Sequence, residues 1–201
     1  MSPRRKDPEL ADRRRVALVK AGYAEILEKG IQALTIDSVV ARAESSKGGA
    51  LYYFHTKDDL LYAVLEWLLA EMSRALDDIA EGGGSPRARL AAELQVLFHS
   101  AEVNRKFYLV LFDLLTLADR ADRFRVLVAG FFEGCMRRDA RIVEEGIKRG
   151  EFRRVRPETA AATLRALVDG YCMQWLMKAD ETPIEDYRDR CREVLGAFLL
   201  R

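Results

Sequence analysis

The sequence predicts an all-α fold, in which three short helices precede a larger helical bundle, about nine helices in total. Three observations carry this. Apolar residues recur three and four positions apart along most of the chain and never alternate at strand period. A Ser or Thr stands before several of these runs, where its hydroxyl can accept from a free helix-start amide. The 13 glycines and 5 prolines among 201 residues are too few for a turn-rich all-β chain, and several mark the ends of the apolar runs.

Residues 1–8 read as a loose basic arm containing Arg4, Arg5 and Lys6. Helix one covers 9–29, where Val16, Val19, Tyr23, Ile26 and Leu27 share a face, and Gly30 ends it as a C-cap. Thr35 caps a helix at 36–43 that turns Val39, Val40 and Ala43 inward. After Glu44-Ser45, Ser46 caps a third helix at 47–53. Thr56 caps a long helix at 57–80, and Asp58 and Asp59 suit the positive end of its dipole. Its stripe of Leu60, Leu61, Val64, Leu65, Leu68, Leu69, Met72, Leu76 and Ile79 stops at Gly82-Gly83-Gly84-Ser85-Pro86. Five further helices follow, at 87–101, 104–117, 121–149, 158–178 and 183–200. Asn104, the stretch from Asp119 to Asp122, Gly150 with Pro157, and Asp180 with Thr182-Pro183 divide them. Gly130, Gly134 or Gly146 could bend the long one at 121–149.

Composition removes several function classes. Apolar residues at 49% and charged residues at 32% suit a folded soluble chain. No run approaches about 18 uncharged apolar residues, so no membrane span is expected. The opening MSPRRKDPELADRRR has no apolar signal segment, which makes the cytoplasm the expected compartment. Cys135, Cys172 and Cys191 are odd in number and widely spaced, so neither a disulfide framework nor a CxxC metal site is expected, and buried inert thiols are favoured over a redox sensor. His99, Cys135 and Cys172 lack metal-ligand spacing. Only two histidines are present, and no P-loop, HExxH, G-x-S-x-G or dinucleotide motif occurs, so no enzyme, cofactor or metal is expected. The net charge is +1, but the first 20 residues carry 7 basic against 3 acidic groups, which permits a nucleic-acid surface there.

Two short helices joined by a tight turn, at 36–43 and 47–53, match a helix-turn-helix, whose second helix enters the major groove N-terminus first. Ser46, Lys47, Gly48 and Gly49 lie at that leading end, and Ser46 and Lys47 can donate to phosphates or bases. Tyr52 and Tyr53 add hydroxyl donors. Thr35 opens helix two, and His55, Thr56 and Lys57 open helix four, where free amides and a cation can hold a phosphate. Lys47 is the only charged residue between Ser45 and Phe54, so DNA shape and backbone contacts should supply much of the sequence preference.

Residues 13–69 resemble the DNA-binding domain of TetR-type transcriptional regulators. The resemblance rests on Leu34-Thr35-Ile36 and on the stretch from Ser46-Lys47-Gly48-Gly49 through Tyr52-Tyr53-Phe54-His55-Thr56-Lys57-Asp58-Asp59-Leu60-Leu61. It implies that Thr35, Ser46, Lys47, Gly49, Tyr52, Tyr53 and Lys57 touch DNA, and that Ala43, Leu51 and Phe54 are core positions. The family turn usually reads Ala-Gly-Val-Ser, whereas this chain has Ala43-Glu44-Ser45-Ser46. Glu44 at a glycine position is expected to cost ~1 kcal/mol, and Ser45 replaces an apolar anchor.

The resemblance divides the chain into a flexible arm (1–8), a helix-turn-helix domain (9–56) and a ligand-binding and dimerisation domain (57–201). It implies a homodimer formed by the last two long helices. The candidate interface is Leu164, Leu167, Val168, Tyr187, Cys191, Val194 and Phe198. It also implies a chamber for a small-molecule effector. The candidate lining is Trp67, His99, Tyr108, Phe112, Asp113, Phe131, Cys135, Tyr171, Gln174 and Trp175, with Asp113 suited to a cationic ligand. The function implied is repression from a near-palindromic operator on double-stranded DNA, relieved by the effector. A helical protein-interaction adaptor without DNA binding is the alternative.

Overall fold

The computed structural model describes residues 8–119, 121–178 and 181–200. Arg4, Arg5, Lys6 and Asp180 lie outside them. The described residues form nine helices: α1 (Pro8–Ala33), α2 (Ile36–Arg42), α3 (Lys47–Tyr53), α4 (Lys57–Glu81), α5 (Pro86–Leu97), α6 (Ala101–Leu115), α7 (Asp122–Lys148), α8 (Pro157–Leu176) and α9 (Ile184–Leu199).

The caps set the boundaries. Ser46 Oγ accepts from Gly49 N at 3.1 Å, Ser85 Oγ from Ala88 N at 3.2 Å and Ser100 Oγ from Val103 N at 3.3 Å. Thr35 and Thr56 form reciprocal capping boxes with Ser38 and Asp59. Each such cap stabilises its helix by about 1 kcal/mol.

Two boundaries differ from expectation. The chain resumes helical turns after Gly30, whose φ of 77° marks a break inside α1 instead of its end. Asn104 does not separate two helices. It lies buried in α6, where its Nδ2 donates to Leu97 O at 2.6 Å and its Oδ1 accepts from His99 N at 2.9 Å, so it holds the α5–α6 turn. The long α7 passes through Gly130 and Gly134 as one helix. Gly146 has a packing role: a Cβ there would fall 2.1 Å from the Phe152 ring, which folds back beneath it.

The helices α1 to α3 form a small head on the start of α4. The rest of α4 joins α5 to α9 in the bundle. The long helices α7 and α8 pair most extensively, with α4 against α7 and α9 against α8; α6 reaches back to α1. The apolar core is continuous from Leu18 and Val39 in the head through Leu60, Val64 and Leu65 to Cys172 and Trp175 in the bundle. Trp175 is fully buried and its Nε1 donates to Thr182 O at 3.1 Å, which closes the α8–α9 turn.

Candidate nucleic-acid interface

The head is held from within. Ala50 and Phe54 bury the inner side of α3, and the Tyr53 hydroxyl donates to Ala11 O of α1 at 3.0 Å. Glu25, buried in α1, accepts from Lys29 at 2.9 Å and from Arg42 Nε at 2.6 Å, which ties α2 to α1. Those hydrogen bonds hold the Glu25 carboxyl below its ordinary pKa, that from Lys29 first.

With its inner side anchored, α3 presents Lys47, Gly48, Leu51 and Tyr52 to solvent, and Tyr52 is 60% exposed. The position of Leu51 corrects the expectation of a core residue, because one helical step past Ala50 carries it outward. Lys47 pairs with Asp37 at 2.8 Å, which brings the first turns of α2 and α3 together. Lys57 Nζ donates to Gln32 O at 3.1 Å, which sets the start of α4 beside the approach to α2. Thr35 and Ser46 are exposed, and each uses an oxygen lone pair in its cap and keeps its hydroxyl proton to donate. Gly49, Tyr53 and Lys57 are half-buried, and the polar groups given above for them are engaged within the chain.

Glu44 adopts φ 49°, the left-handed turn position that favours glycine. The turn closes through Ser45 N on Val40 O at 3.0 Å, and the exposed Ser45 side chain anchors nothing. Replacing Glu44 with Gly is expected to raise folding stability by ~1 kcal/mol, read as a higher urea midpoint at unchanged slope.

The residues expected in a chamber separate. Tyr108, Cys135 and Trp175 are buried, and Trp67, Phe112, Phe131 and Tyr171 are half-buried. His99 and Gln174 are exposed, which corrects their placement: His99 lies in the α5–α6 turn and Gln174 on the outer side of α8. Asp113 is half-buried, and its Oδ2 accepts from Ile31 N at 3.4 Å, just past the break in α1. It therefore ties the bundle to the head. A groove of about 120 Å³ lies elsewhere, between α5 and α9, and is lined by Leu90, Leu94, Phe152, Leu195 and Leu199 among others. The expected dimer contacts are corrected in part. Leu164, Val168, Tyr187 and Cys191 are buried in the chain's own core, Leu167 and Phe198 are half-buried, and Val194 is exposed.

The bundle core holds charges that were not singled out from the sequence. Glu93 of α5 and Asp139 of α7 are 2% and 1% exposed and lie near each other in the core. Asp77 faces this cluster from α4, Tyr108 from α6, Cys135 and Arg138 from α7, Arg165 and Asp169 from α8, and Cys191 from α9. Burial, and then the neighbouring Asp139, push the Glu93 carboxyl well above its ordinary pKa. Burial also raises Asp139 to about 6. The helical phase carried a signal: Glu93 lies on the face of Leu90 and Leu97, Asp139 on that of Cys135 and Ile142, and Arg165 on that of Ala161 and Val168. Burial pushes the thiols of Cys172 and Cys191 up to about 12, so they stay protonated and unreactive.

A model of the bacterial regulatory proteins of the tetR family matches residues 18–64, from α1 into the start of α4. A second model, of the C-terminal part of BetI-type transcriptional repressors, matches residues 86–200, which is α5 to α9. The chain belongs to the TetR family. An uncharacterized HTH-type transcriptional regulator of Bacillus subtilis, YfiR, is 28% identical over 150 residues, covering 74% of this chain and 73% of YfiR. A TetR transcription regulator from Haloarcula marismortui superposes with a TM-score of 0.85 at 25% identity, covering 94% of this chain and all of that one. A Saccharomonospora viridis protein solved in complex with choline shares the fold, with a TM-score of 0.84 at 18% identity over 94% of this chain and 99% of that one. TetR-family regulators bind DNA and are not enzymes. Among the described residues no cluster of three or more His, Cys, Asp or Glu could hold a metal ion, and no helix is long and apolar enough to cross a membrane.

Proposed function

We propose that this TetR-family chain is a homodimeric repressor that binds a near-palindromic operator and is released by a small molecule. The observation that carries the reading is the leading end of α3: Ser46, Lys47 and Gly48 are exposed while Ala50 and Phe54 anchor the opposite side. This is the disposition a recognition helix needs to enter a major groove. Thr35, Ser46, Lys47 and Tyr52 are proposed to touch DNA directly. Gly49, Tyr53 and Lys57 would do so through the backbone or after exchanging their present partners.

The proposed interface is the outer face of α8 and α9. Ala166 and Met173 on α8, Met177 at its C-cap and Val194 on α9 are all exposed, and Met177 is 73% exposed. Leu167 and Phe198 border this face half-buried. A two-fold pairing there would cover them and set two copies of α3 about one DNA turn, ~34 Å, apart. The choline complex of the Saccharomonospora viridis relative supports a small molecule as effector. A ligand that fits one arrangement of the bundle better than the other shifts that spacing and so lowers affinity for the operator.

The test combines sedimentation of the purified chain with selection of duplexes from a random pool. Expected are a dimer and enriched duplexes with two-fold related half-sites one turn apart. A monomer at high concentration that enriches no duplex sinks the reading and favours the adaptor.

A further inference from the structure

The groove between α5 and α9 has no part in the DNA-binding reading, and it shares no residue with the expected effector chamber. The two helices run antiparallel along it. At one end Arg188 Nη1 of α9 donates to Gln95 Oε1 of α5 at 2.8 Å. At the other, the turn between α7 and α8 meets both: Glu151 Oε2 accepts from Arg87 N at 3.1 Å, and Arg153 N donates to Leu199 O at 2.8 Å. Leu90 and Leu94 stand one turn apart on α5, and Leu195 and Leu199 one turn apart on α9, so two buried apolar rows line the slot. The Phe152 ring joins them. The volume is about 120 Å³. An apolar cavity of ~150 Å³ admits a benzene ring, so this one takes a ring or a chain of roughly four to six carbons. No acid is among the lining residues, and the charged ones are Arg87 and Arg192. Arg192 is engaged with Asp189 of its own helix. Arg87 is exposed, and its guanidinium has no ion pair or hydrogen bond among the described residues, because Glu151 sits on its backbone amide.

We propose that this groove binds a carboxylate with a short aliphatic tail, the tail between the leucine rows and the carboxylate on Arg87. The tail takes apolar surface out of water. The guanidinium fork donates two N–H groups to the two carboxylate oxygens. Asp189 and Glu151, the acids that meet the two arginines, each already hold a donor and leave the Arg87 fork open. A cation with the same tail is repelled by Arg87 and Arg192. An anion without a tail gains nothing from the leucines. Each methylene buried is worth up to about a fourfold gain in affinity, so affinity climbs with chain length until the slot is full. The site goes beyond the repressor reading and does not depend on it.

Calorimetric titration of the full chain without DNA tests this, with butyrate, hexanoate and octanoate as probes and octyltrimethylammonium as the cation of matched tail. Expected is an affinity that rises from butyrate to hexanoate by up to about fourfold per methylene and levels off at octanoate, with no binding of the cation. Arg87→Gln is expected to weaken octanoate about tenfold. Ala91→Trp sets an indole in the slot and should abolish binding. Both positions are exposed, so the circular-dichroism melts should match that of the unmodified chain. The assignment is overturned if octanoate does not bind at millimolar concentration, if octyltrimethylammonium binds as tightly, or if either variant binds octanoate as the unmodified chain does, which puts the ligand elsewhere. It is overturned too if Ala91→Trp changes the sedimentation coefficient, because the groove is then a contact between copies. Since no DNA is present, octanoate uptake by a chain that ignores duplex DNA sinks the repressor reading and not this one.

Discussion

Lys47→Ala is expected to weaken binding to every duplex alike and to lower the salt-dependence slope by about 1 per protomer, hence by about 2 for a dimer. The reason is positional. Lys47 is the cation at the leading end of α3, and its side chain is 63% exposed. Its pairing with Asp37 is a solvated contact that contributes little to folding, so the melting temperature of the variant should stay close to that of the unmodified protein. On the proposed reading, Lys47 exchanges Asp37 for a phosphate when DNA binds. Asp37→Ala should therefore act in the opposite direction and tighten binding at low salt, because the lysine is then unopposed. A mobility-shift series at several salt concentrations reads both effects. If Lys47→Ala keeps the full slope, the phosphate contact is made elsewhere.

Between about pH 5 and pH 8 the folding stability is expected to fall, by roughly 1–2 kcal/mol through Asp139 and further through Glu93. Both carboxyls have pKa values raised by burial, Asp139 to about 6 and Glu93 well above the ordinary range. A raised carboxyl keeps its proton in the folded chain after the unfolded chain has lost it. Its contribution is therefore complete below the unfolded pKa and is lost as the pH rises through the folded one. Glu25 and Asp59 work the other way: Lys29 and Arg42 on the first, and Arg123 on the second, lower their pKa values, so their contribution disappears in acid. The melting temperature should peak in mildly acidic buffer. Glu93→Gln removes the ionisable partner and keeps a donor toward Asp139, so its stability curve should be flatter on the alkaline side and lie above that of the unmodified chain near pH 8. Arg165→Met gives a larger loss, about 3–5 kcal/mol, because it strips Asp169 and the acid pair of a buried cation. Chemical denaturation across the pH series measures all three; a flat profile for the unmodified chain would show that the pair does not hold its proton.

Local chemistry made most of the fold legible. Thr35, Ser46 and Thr56 cap the helices they precede, and the apolar stripe of α4 is buried from Leu60 to Leu76. These features depend only on neighbours along one helix. The positive φ of Glu44 agrees with the glycine that the resemblance places at this turn position. Residues whose role depends on a partner from another helix were harder to place. Asp113 looked like a ligand carboxylate because it interrupts an apolar run, but Ile31 of α1 supplies its donor. Leu164, Val168, Tyr187 and Cys191 looked surplus to one chain, yet the packing of α7, α8 and α9 absorbs them.

The sequence by itself determined the all-helical architecture, the helix boundaries within a few residues and the place of the helix-turn-helix, because caps, breaks and the 3.6-residue period act over one or two turns. Only the tertiary structure decided which apolar faces stay outside and that Glu93 and Asp139 meet. Their helices approach through packing, and the low dielectric that raises both pKa values exists only once α4 to α9 have closed around them.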